Sequence, residues 1–566
     1  MLKYKKTMLE LLLLIAAIIL VNITSSHFYH RFDLTSDKRY TLTNKTKDIL
    51  QDLDDQIYFK IYLDGDMPIG LKRMQRRVRE TLDEFRIYAN DNIQYTFINP
   101  SAADDSDEQQ AFFEELRDKG LRPINVKERD REGGRRQKVV FPGALVNYGE
   151  EQVAINMLKN NPGVSSEVNL NHSIEALEYE LIDAVYKLTI EDKEPIAFLE
   201  GHGELDKYQV GDLTDGLSNY YNVDRINLSN DFDLIRDYEA IVIAKPQDQF
   251  SKADKYQIDQ YIMQGGKVLW LYEPVKISMD SVAQGETSVA RVDQLNIHDQ
   301  IFKYGIRVNP DLVKDLQSAV IPVNTSYDDN SPDFTPTPWL YFPLLTPLNN
   351  HAINKNLNMI KSEFASSIDT LPAYPGLKKT VLLATSENTR VKDAPLMISL
   401  KEIEEKVNPQ SYNQGRQIIG VLMEGKFQSV FKNRYVSDME KLTKMKFREV
   451  SKKTSQIVLS DGDLFRNEVK QELSGVSITP LGYDRYTRQT YGNKNFAINC
   501  LHYLTDKEGL IEIRGKEVQL RLLDKSKLRN ERTRWQVINI ALPVLIILAF
   551  GFIKNILRRR KYKHFK

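Results

Sequence analysis

The two ends of the chain constrain it most. Trp535 to Ile553 reads WQVINIALPVLIILAFGFI, without a charged residue, and is followed by Lys554, Arg558, Arg559, Arg560, Lys561, Lys563 and Lys566. A membrane-crossing helix needs about 20 mainly apolar residues at a rise of about 1.5 Å each. The run therefore predicts a span at about 535–553, with Trp535 as an interfacial anchor. Near the start, Lys3, Lys5 and Lys6 precede an apolar run from Met8 to Ile23, unbroken from Leu11 to Val21. That run is short enough for a signal-peptide core. Glu10 is out of place in such a core, and only the Thr24/Ser26 pair suggests cleavage, so an uncleaved anchor over about 8–23 is expected. Lys/Arg-rich tails stay in the cytoplasm. The expectation is a two-pass protein with both termini cytoplasmic and residues 24–534 beyond the membrane, although Lys525, Lys527, Arg529, Arg532 and Arg534 sit on the outer flank.

Within the second span, Gln536, Asn539, Pro543 and Gly551 are unusual company for lipid. Amide and small residues favour helix–helix contact, which makes Asn539 and Gly551 candidates for packing on a partner. The alternative leaves Gln536 and Asn539 at the interface and Pro543 as a tolerated kink.

Between the ends the chain is water-compatible. Lys+Arg and Asp+Glu both number 78, charged residues make up 28%, and the mean hydropathy is −0.44. These values exclude a polytopic membrane protein, and the missing basic surplus argues against nucleic acid as a partner. Cys500 is the single cysteine, so neither an intrachain disulfide nor a cysteine-based zinc or iron–sulfur site can form. The histidines are scattered, and no structural metal is expected. The chain contains neither G-x-x-x-x-G-K-[ST] nor G-x-S-x-G, so it has no Walker-A phosphate loop and no nucleophile elbow.

The body reads as alternating strands and helices, an α/β class. Residues 1–30 hold the first tail and span. Residues 31–162 suggest a small α/β domain: a helix over Thr43–Leu53, a strand over Ile57–Leu63, a helix over Leu71–Ala89 and a strand over Ile93–Ile98. Lys127 to Lys138 forms a hairpin tip at Gly133-Gly134. Its basic residues alternate with Glu128, Asp130 and Glu132, so a solvated tip is favoured over an acidic-partner dock; the Lys72–Arg79 cluster reads the same way. Asn160-Asn161-Pro162-Gly163 marks a boundary. A helix over His172–Leu188, with Ile174, Leu177, Leu181, Val185 and Leu188 on one face, is expected to pack on the following domain.

Residues 163–320 carry the clearest pattern. Ile196–Leu199, Ala240–Ala244 and Val268–Leu271 are short continuous apolar runs, as strands covered on both faces are, and Val223–Leu228 alternates like an edge strand. Ser251 with Asp254 at N3 predicts a helix start, and Gly265-Gly266 its end. The expectation is a doubly wound parallel sheet of amidotransferase or flavodoxin type. In residues 321–354, six prolines surround Trp339, Tyr341 and Phe342. That density predicts an irregular loop, packed on its own domain or presenting those aromatics as partner contacts. Residues 355–530 resume the pattern with Val381–Thr385, Ile418–Met423 and Ile457–Leu459, then a helix near Asn495–Leu504; these strands either complete the first sheet or build a second. Residues 531–566 hold the second span and basic tail.

Ligands of open α/β sheets bind beyond the carboxyl ends of the strands. Here those positions are Glu200-Gly201-His202-Gly203-Glu204, Lys245-Pro246 and Glu273-Pro274. Carboxylates flanking an imidazole can bind a metal or run acid–base chemistry, but ordinary strand-end turns look the same. Glu200, His202, Glu204, Lys245 and Glu273 are the ligand-binding candidates, and no catalytic, metal or cofactor residue is expected. Asp461-Gly462-Asp463 is a turn without the further ligands of an EF-hand loop.

Several segments carry a family resemblance: Tyr491–Ile546, RFDLTSDKRYTLTNKT (Arg31–Thr46), IAFLEGHGEL (Ile196–Leu205) and YGIRVNPDLVKDLQS (Tyr304–Ser318). Together they resemble the gliding-motility-associated ABC-transporter family of GldG. The resemblance implies an auxiliary, "substrate-binding" component of a bacterial inner-membrane system linked to gliding motility. It implies a separate permease and a separate ATPase as partners, with the body periplasmic. The central domain also resembles the amidotransferase-like module of auxiliary ABC-transporter proteins and of an intraflagellar-transport protein. That pattern needs a cysteine after a strand, which this chain lacks, so an active enzyme is not expected. Two other readings stay open: a solute or glycan receptor, and a hydrolase or transferase centred on Glu200, His202 and Glu204.

Overall fold

The computed structural model describes residues 13–19, 41–515 and 531–563. Within 41–515 it leaves out 103–104, 130–134, 160, 162–163, 229–233, 285–286, 325–333, 349–350, 373–375, 473–474 and 507–508. Tyr40–Lys516 form one compact unit and the two chain ends another.

The first elements follow from local chemistry. Thr43 starts α1 (Asn44–Gln51), its hydroxyl accepting the Thr46 N–H at 3.2 Å. In β1 (Ile57–Ile61), Ile57, Phe59 and Ile61 are buried while Tyr58 and Lys60 face outward. In α2 (Ile69–Tyr88), Met74, Val78, Leu82 and Phe85 are all buried, a stripe at helical spacing. There follow β2 (Ile93–Phe97), α3 (Ser106–Asp118), the paired strands β3 (Ile124–Arg129) and β4 (Arg135–Val140), β5 (Gly143–Tyr148) and β6 (Glu151–Asn156). The tip between β3 and β4, with Gly133-Gly134, lies outside the described residues. One sheet has the order β2-β1-β5-β6, parallel between β1 and β2 and antiparallel elsewhere.

The helix expected over His172–Leu188 is two helices, α4 (Ser166–Glu175) and α5 (Leu177–Thr189), meeting at Ala176. Leu177, Leu181, Val185 and Leu188 join the core of the first sheet, not that of the following domain. α5 still reaches forward: the buried Tyr220 hydroxyl donates to Asp183 at 2.8 Å.

The large sheet begins with β7 (Glu194–Glu200), α6 (Gly211–Ser218), β8 (Tyr221–Asn227), β9 (Ala240–Ala244), α7 (Lys252–Gln264) and β10 (Lys267–Leu271). The Ser251/Asp254 capping box starts α7 and Gly265 ends it. Later come β11 (Ser318–Asn324), β12 (Phe334–Pro347), β13 (Lys378–Ala384), β14 (Ile418–Gly425), β15 (Thr454–Leu459) and α8 (Asn493–Thr505). The order is β11-β12-β13-β14-β15-β10-β9-β7-β8, with Ile360–Lys361 pairing on β12. From β15 to β8 every pairing is parallel; from β15 to β11 every pairing is antiparallel. The expected parallel sheet is therefore half of a mixed one. Ile419, Val421, Leu422 and Met423 of β14 are buried, and a strand covered on both faces reads alike in either pairing direction.

Apolar side chains cover both faces. Phe198, Val242, Leu269 and Ile457 pack with Leu213 and Leu217 of α6 and with Phe496, Cys500 and Leu501 of α8. On the other face Leu199, Ile243, Trp270 and Val458 pack with Tyr256, Ile258 and Ile262 of α7.

The loop expected over 321–354 is contradicted by β12, which spans Phe334–Pro347. Trp339, Tyr341 and Phe342 are buried at 2–3% exposure, with Ile321 and Phe364 in the same cluster. β12 accommodates its prolines because, among the described residues, its 334–343 part pairs on one side only, with β11, and the β11–β12 register slips between Ser318 and Val320; edges and bulges are where sheets tolerate proline.

Among the described residues one helix, within α9 (Arg532–Lys563), is long and apolar enough to cross a membrane. Asn539 and Gly551 both lie in it. Of the expected N-terminal span, residues 13–19 are helical with Leu13, Leu14, Ile15, Ile18 and Ile19 exposed; the rest lies outside the described residues.

Because Trp339 is core, Trp339→Ala should destabilise the body by about 3–5 kcal/mol, the usual cost of truncating a large buried aromatic. Thermal unfolding of the full chain in detergent checks this; an unchanged midpoint would place the indole on the surface.

Candidate functional site

β7 lies between β8 and β9, and the connections from β7 to β8 and from β9 to β10 run in opposite directions, which opens a crevice at the carboxyl ends of β7 and β9. The loop there turns back sharply. Gly203 has φ +72°, and a Cβ at this position would fall 2.9 Å from Gln247 Cβ. The His202 carbonyl accepts the Gln247 N–H at 2.7 Å and the Asp248 N–H at 2.8 Å, which binds the β7 loop to the β9 loop.

The His202 side chain points inward. Its ring stacks on Phe250 at 3.9 Å between centroids. Nδ1 lies 3.2 Å from Glu204 Oε1, and Nε2 lies 3.2 Å from Asp254 Oδ2. Burial alone would lower the imidazole pKa; hydrogen bonds to Asp254 and Glu204 outweigh it and raise the value to about 9. His202 is thus an imidazolium clamped between two carboxylates, and Asp254 also closes the cap of α7. Glu200 stands apart, half exposed and paired with Arg225.

The second group of candidates gathers around Lys245. Its backbone is left-handed, φ +55°, which costs a non-glycine residue about 1–2 kcal/mol. Nζ donates to Asp463 Oδ2 at 2.6 Å and lies 3.2 Å from Glu273 Oε1. Glu273 also accepts the Gly462 N–H at 2.7 Å, and Asp461 accepts the Glu363 and Asp463 N–H groups, both at 2.8 Å. Arg466 Nε reaches Asp463 at 3.0 Å. The register explains the gathering. Leu271 faces Leu459 across β10 and β15, so Glu273 and Asp461, each two residues further on, leave adjacent strands side by side. Gly462 admits the lysine: a Cβ there would lie 2.4 Å from Lys245 Cβ.

Burial raises the Glu273 carboxyl to about 7, with Lys245 opposing, and raises Asp461 well above the usual carboxylate range. Asp463 is lowered: burial works against this, but Lys245 and Arg466 prevail. Lys245 is held protonated beyond the ordinary lysine range, Asp463 and Glu273 outweighing its burial. Carboxylate oxygens of Glu273, Asp461 and Asp463 lie within 4.8 Å of one another, close enough to share a metal. The Lys245 ammonium takes the cation's place, so this donor set does not call for one.

Of the five ligand candidates, the structure brings His202 together with Glu204, and Lys245 together with Glu273, and leaves Glu200 outside both groups. Sequence reasoning missed Asp254 as a His202 partner, Asp463 as a Lys245 partner, and Asp461 and Arg466 as further members of that cluster. The signal for the last three was IVLSDGDLFR, a buried strand followed by two acids and a base. Trp339, Tyr341 and Phe342 belong to a separate core cluster.

Residues 193–500, from the start of β7 into α8, match the family described as an ABC-type uncharacterized transport system. The chain belongs to that family. This agrees with the auxiliary ABC-transporter role expected from sequence at that coarser level. Residues 36–147 match a domain of unknown function. An uncharacterized protein of Borreliella burgdorferi is 19% identical over 98% of both chains. Among solved structures, the mmIFT52 N-terminal domain is 13% identical, covering 55% of this chain and 97% of its own, with a TM-score of 0.31. Gan42B, a GH42 beta-galactosidase, is 9% identical over 60% of this chain and 33% of its own, with a TM-score of 0.22. Likenesses this distant carry no argument about fold or chemistry.

Removing the buried cation leaves carboxylates facing one another. Lys245→Met should destabilise the body by about 3–5 kcal/mol at pH 8, as breaking a buried pair does. The loss should shrink at pH 5, where Glu273 takes a proton; chemical denaturation at the two pH values checks it, and an equal loss at both would refute the shared-charge account. His202 binds its proton more tightly folded (about 9) than unfolded (6.5). Its contribution is complete below pH 6.5 and is lost as pH rises to about 9. The thermal midpoint should fall across that window in the parent chain, and His202→Gln should flatten the fall.

Proposed function

We propose that the chain is a non-catalytic auxiliary subunit of a bacterial ABC-type transport system. α9 and a second span at residues 8–23 hold it to the inner membrane, with both termini cytoplasmic and the body periplasmic. Its partners are a separate permease, a separate ATPase and the lipid bilayer, and the periplasmic body receives or transmits motion from the permease. Asn539 and Gly551 are the contacts by which α9 would pack on the permease.

The observation that carries the non-catalytic reading is the Lys245 cluster. At the strand ends, where α/β sheets place their chemistry, the groups able to act as acid, base or metal ligand already neutralise one another. His202 has both ring nitrogens engaged, and Cys500 is buried in α8 with its thiol pushed up by burial. The link to gliding motility is supported by the resemblance of Arg31–Thr46, Ile196–Leu205, Tyr304–Ser318 and Tyr491–Ile546.

Affinity purification of the full chain from its native membranes in mild detergent should bring down a permease and an ATPase identifiable by mass spectrometry. Asn539→Leu combined with Gly551→Leu should weaken that association while the body stays folded. A chain that elutes alone would sink the proposal.

A further inference from the structure

Beside the Lys245 cluster, at the same end of the sheet, a cavity of about 440 Å³ opens. That size lies within the range of about 300–1,000 Å³ typical of small-molecule sites. Its wall carries Lys245, Lys276, Arg291 and Arg466 and no carboxylate. Two of these cations are matched from behind: Lys245 by Asp463 and Glu273, and Arg466 by Asp463. Lys276 and Arg291 are exposed, and among the described residues neither has an ion-pair partner.

The register makes this pair unusual. Val275–Lys276 pairs antiparallel with the Ser288–Val292 strand, and Lys276 stands directly opposite Arg291. Residues so opposed bring their Cβ atoms to about 4.5–5.5 Å, and like charges there destabilise the ladder. Nothing in the two-residue ladder itself requires two cations. The same wall presents hydroxyls. Ser288 Oγ donates to Ser281 Oγ at 3.1 Å, and Ser281 Oγ donates to the Ser278 carbonyl at 2.7 Å. Ser278 Oγ accepts the Ser281 N–H at 3.3 Å and keeps its own proton free to donate.

We propose that this cavity binds the phosphoryl group of a small phosphorylated molecule between Lys276 and Arg291. A phosphate monoester carries up to two negative charges, which match the two unmatched cations. Its three terminal oxygens can take the guanidinium fork, the ammonium and the Ser278 hydroxyl together, whereas a planar carboxylate offers two. The remainder of the molecule would occupy the cavity toward Arg466. This site goes beyond the auxiliary-subunit reading and does not depend on it.

The test is calorimetric titration of the full chain in detergent with glucose 6-phosphate and inorganic pyrophosphate, with glucose and acetate as controls. A parallel arm uses nanodiscs of phosphatidylcholine with and without phosphatidic acid. Saturable binding of the soluble phosphates, and none of the controls, is expected. Lys276→Gln and Arg291→Gln should each weaken it on the order of tenfold or more, the scale of a lost charge-assisted hydrogen bond. Both residues are exposed, so the variants should fold. Their unliganded thermal midpoints should stay level or rise, because a repulsion has been removed. Binding seen only with phosphatidic acid would keep the site and assign the phosphoryl group to a lipid headgroup. The proposal is overturned if no phosphate probe binds, if acetate binds as well as the phosphates, or if the Lys276→Gln/Arg291→Gln double variant binds like the parent.

Discussion

The ammonium of Lys245 is enclosed by side chains that leave the ends of neighbouring strands. β9 delivers the lysine, β10 delivers Glu273, and β15 delivers Asp461 and Asp463. Taking charges out of water is expensive, and such a cluster persists only if its members are hydrogen-bonded as well as paired. Backbone N–H groups from Gly462, Asp463 and Glu363 supply those bonds. Three carboxylates face two cations, Lys245 and Arg466, so a retained proton balances the group. The raised values of Glu273 and Asp461 place that proton on these two acids and not on Asp463, which Lys245 and Arg466 hold low. These coupled groups titrate as a set. The same arrangement contains the left-handed backbone of Lys245 and sets two cations, Lys245 and Arg466, in the wall of the adjacent cavity.

Local features were readable from sequence because their causes are local. The Ser251/Asp254 cap, the alternation in β1, the stripe in α2 and the apolar runs of β7, β9 and β10 each occupy a short window. What escaped is non-local. Pairing direction is invisible in a run such as IIGVLM, because a strand covered on both faces shows no alternation to orient it. Asp461 and Lys245 are far apart in the chain, and two registers through β10, Ala244–Leu271 and Leu271–Leu459, bring their strand ends together. The proline-rich segment failed for another reason. Proline density in sequence signals a breaker, whereas position in the sheet decides whether a missing N–H matters. Trp339, Tyr341 and Phe342 then supply enough apolar surface to hold β12 in place.

The candidate site shows the same division. Glycine and charge at the ends of predicted strands point to the loops at the carboxyl ends, and the sheet order sets a crevice there beside β7. Which charges would neutralise which could not be read, and neither could the opposed pair Lys276 and Arg291. That pair arises from a two-residue ladder too short to announce itself in sequence.

β15 joins the two halves of the large sheet, parallel to β10 on one side and antiparallel to β14 on the other. It lies late in the chain, so the sheet begun at β7 cannot close until most of the body has been made. Until then β10 exposes an unpaired edge flanked by Val268, Leu269, Trp270 and Leu271, the kind of edge that recruits other chains. Pairings of such long sequence separation also form slowly. Folding of this body is therefore timed by the arrival of Thr454–Leu459, and a chain truncated before that point would retain its parallel strands yet leave the sheet open to aggregation.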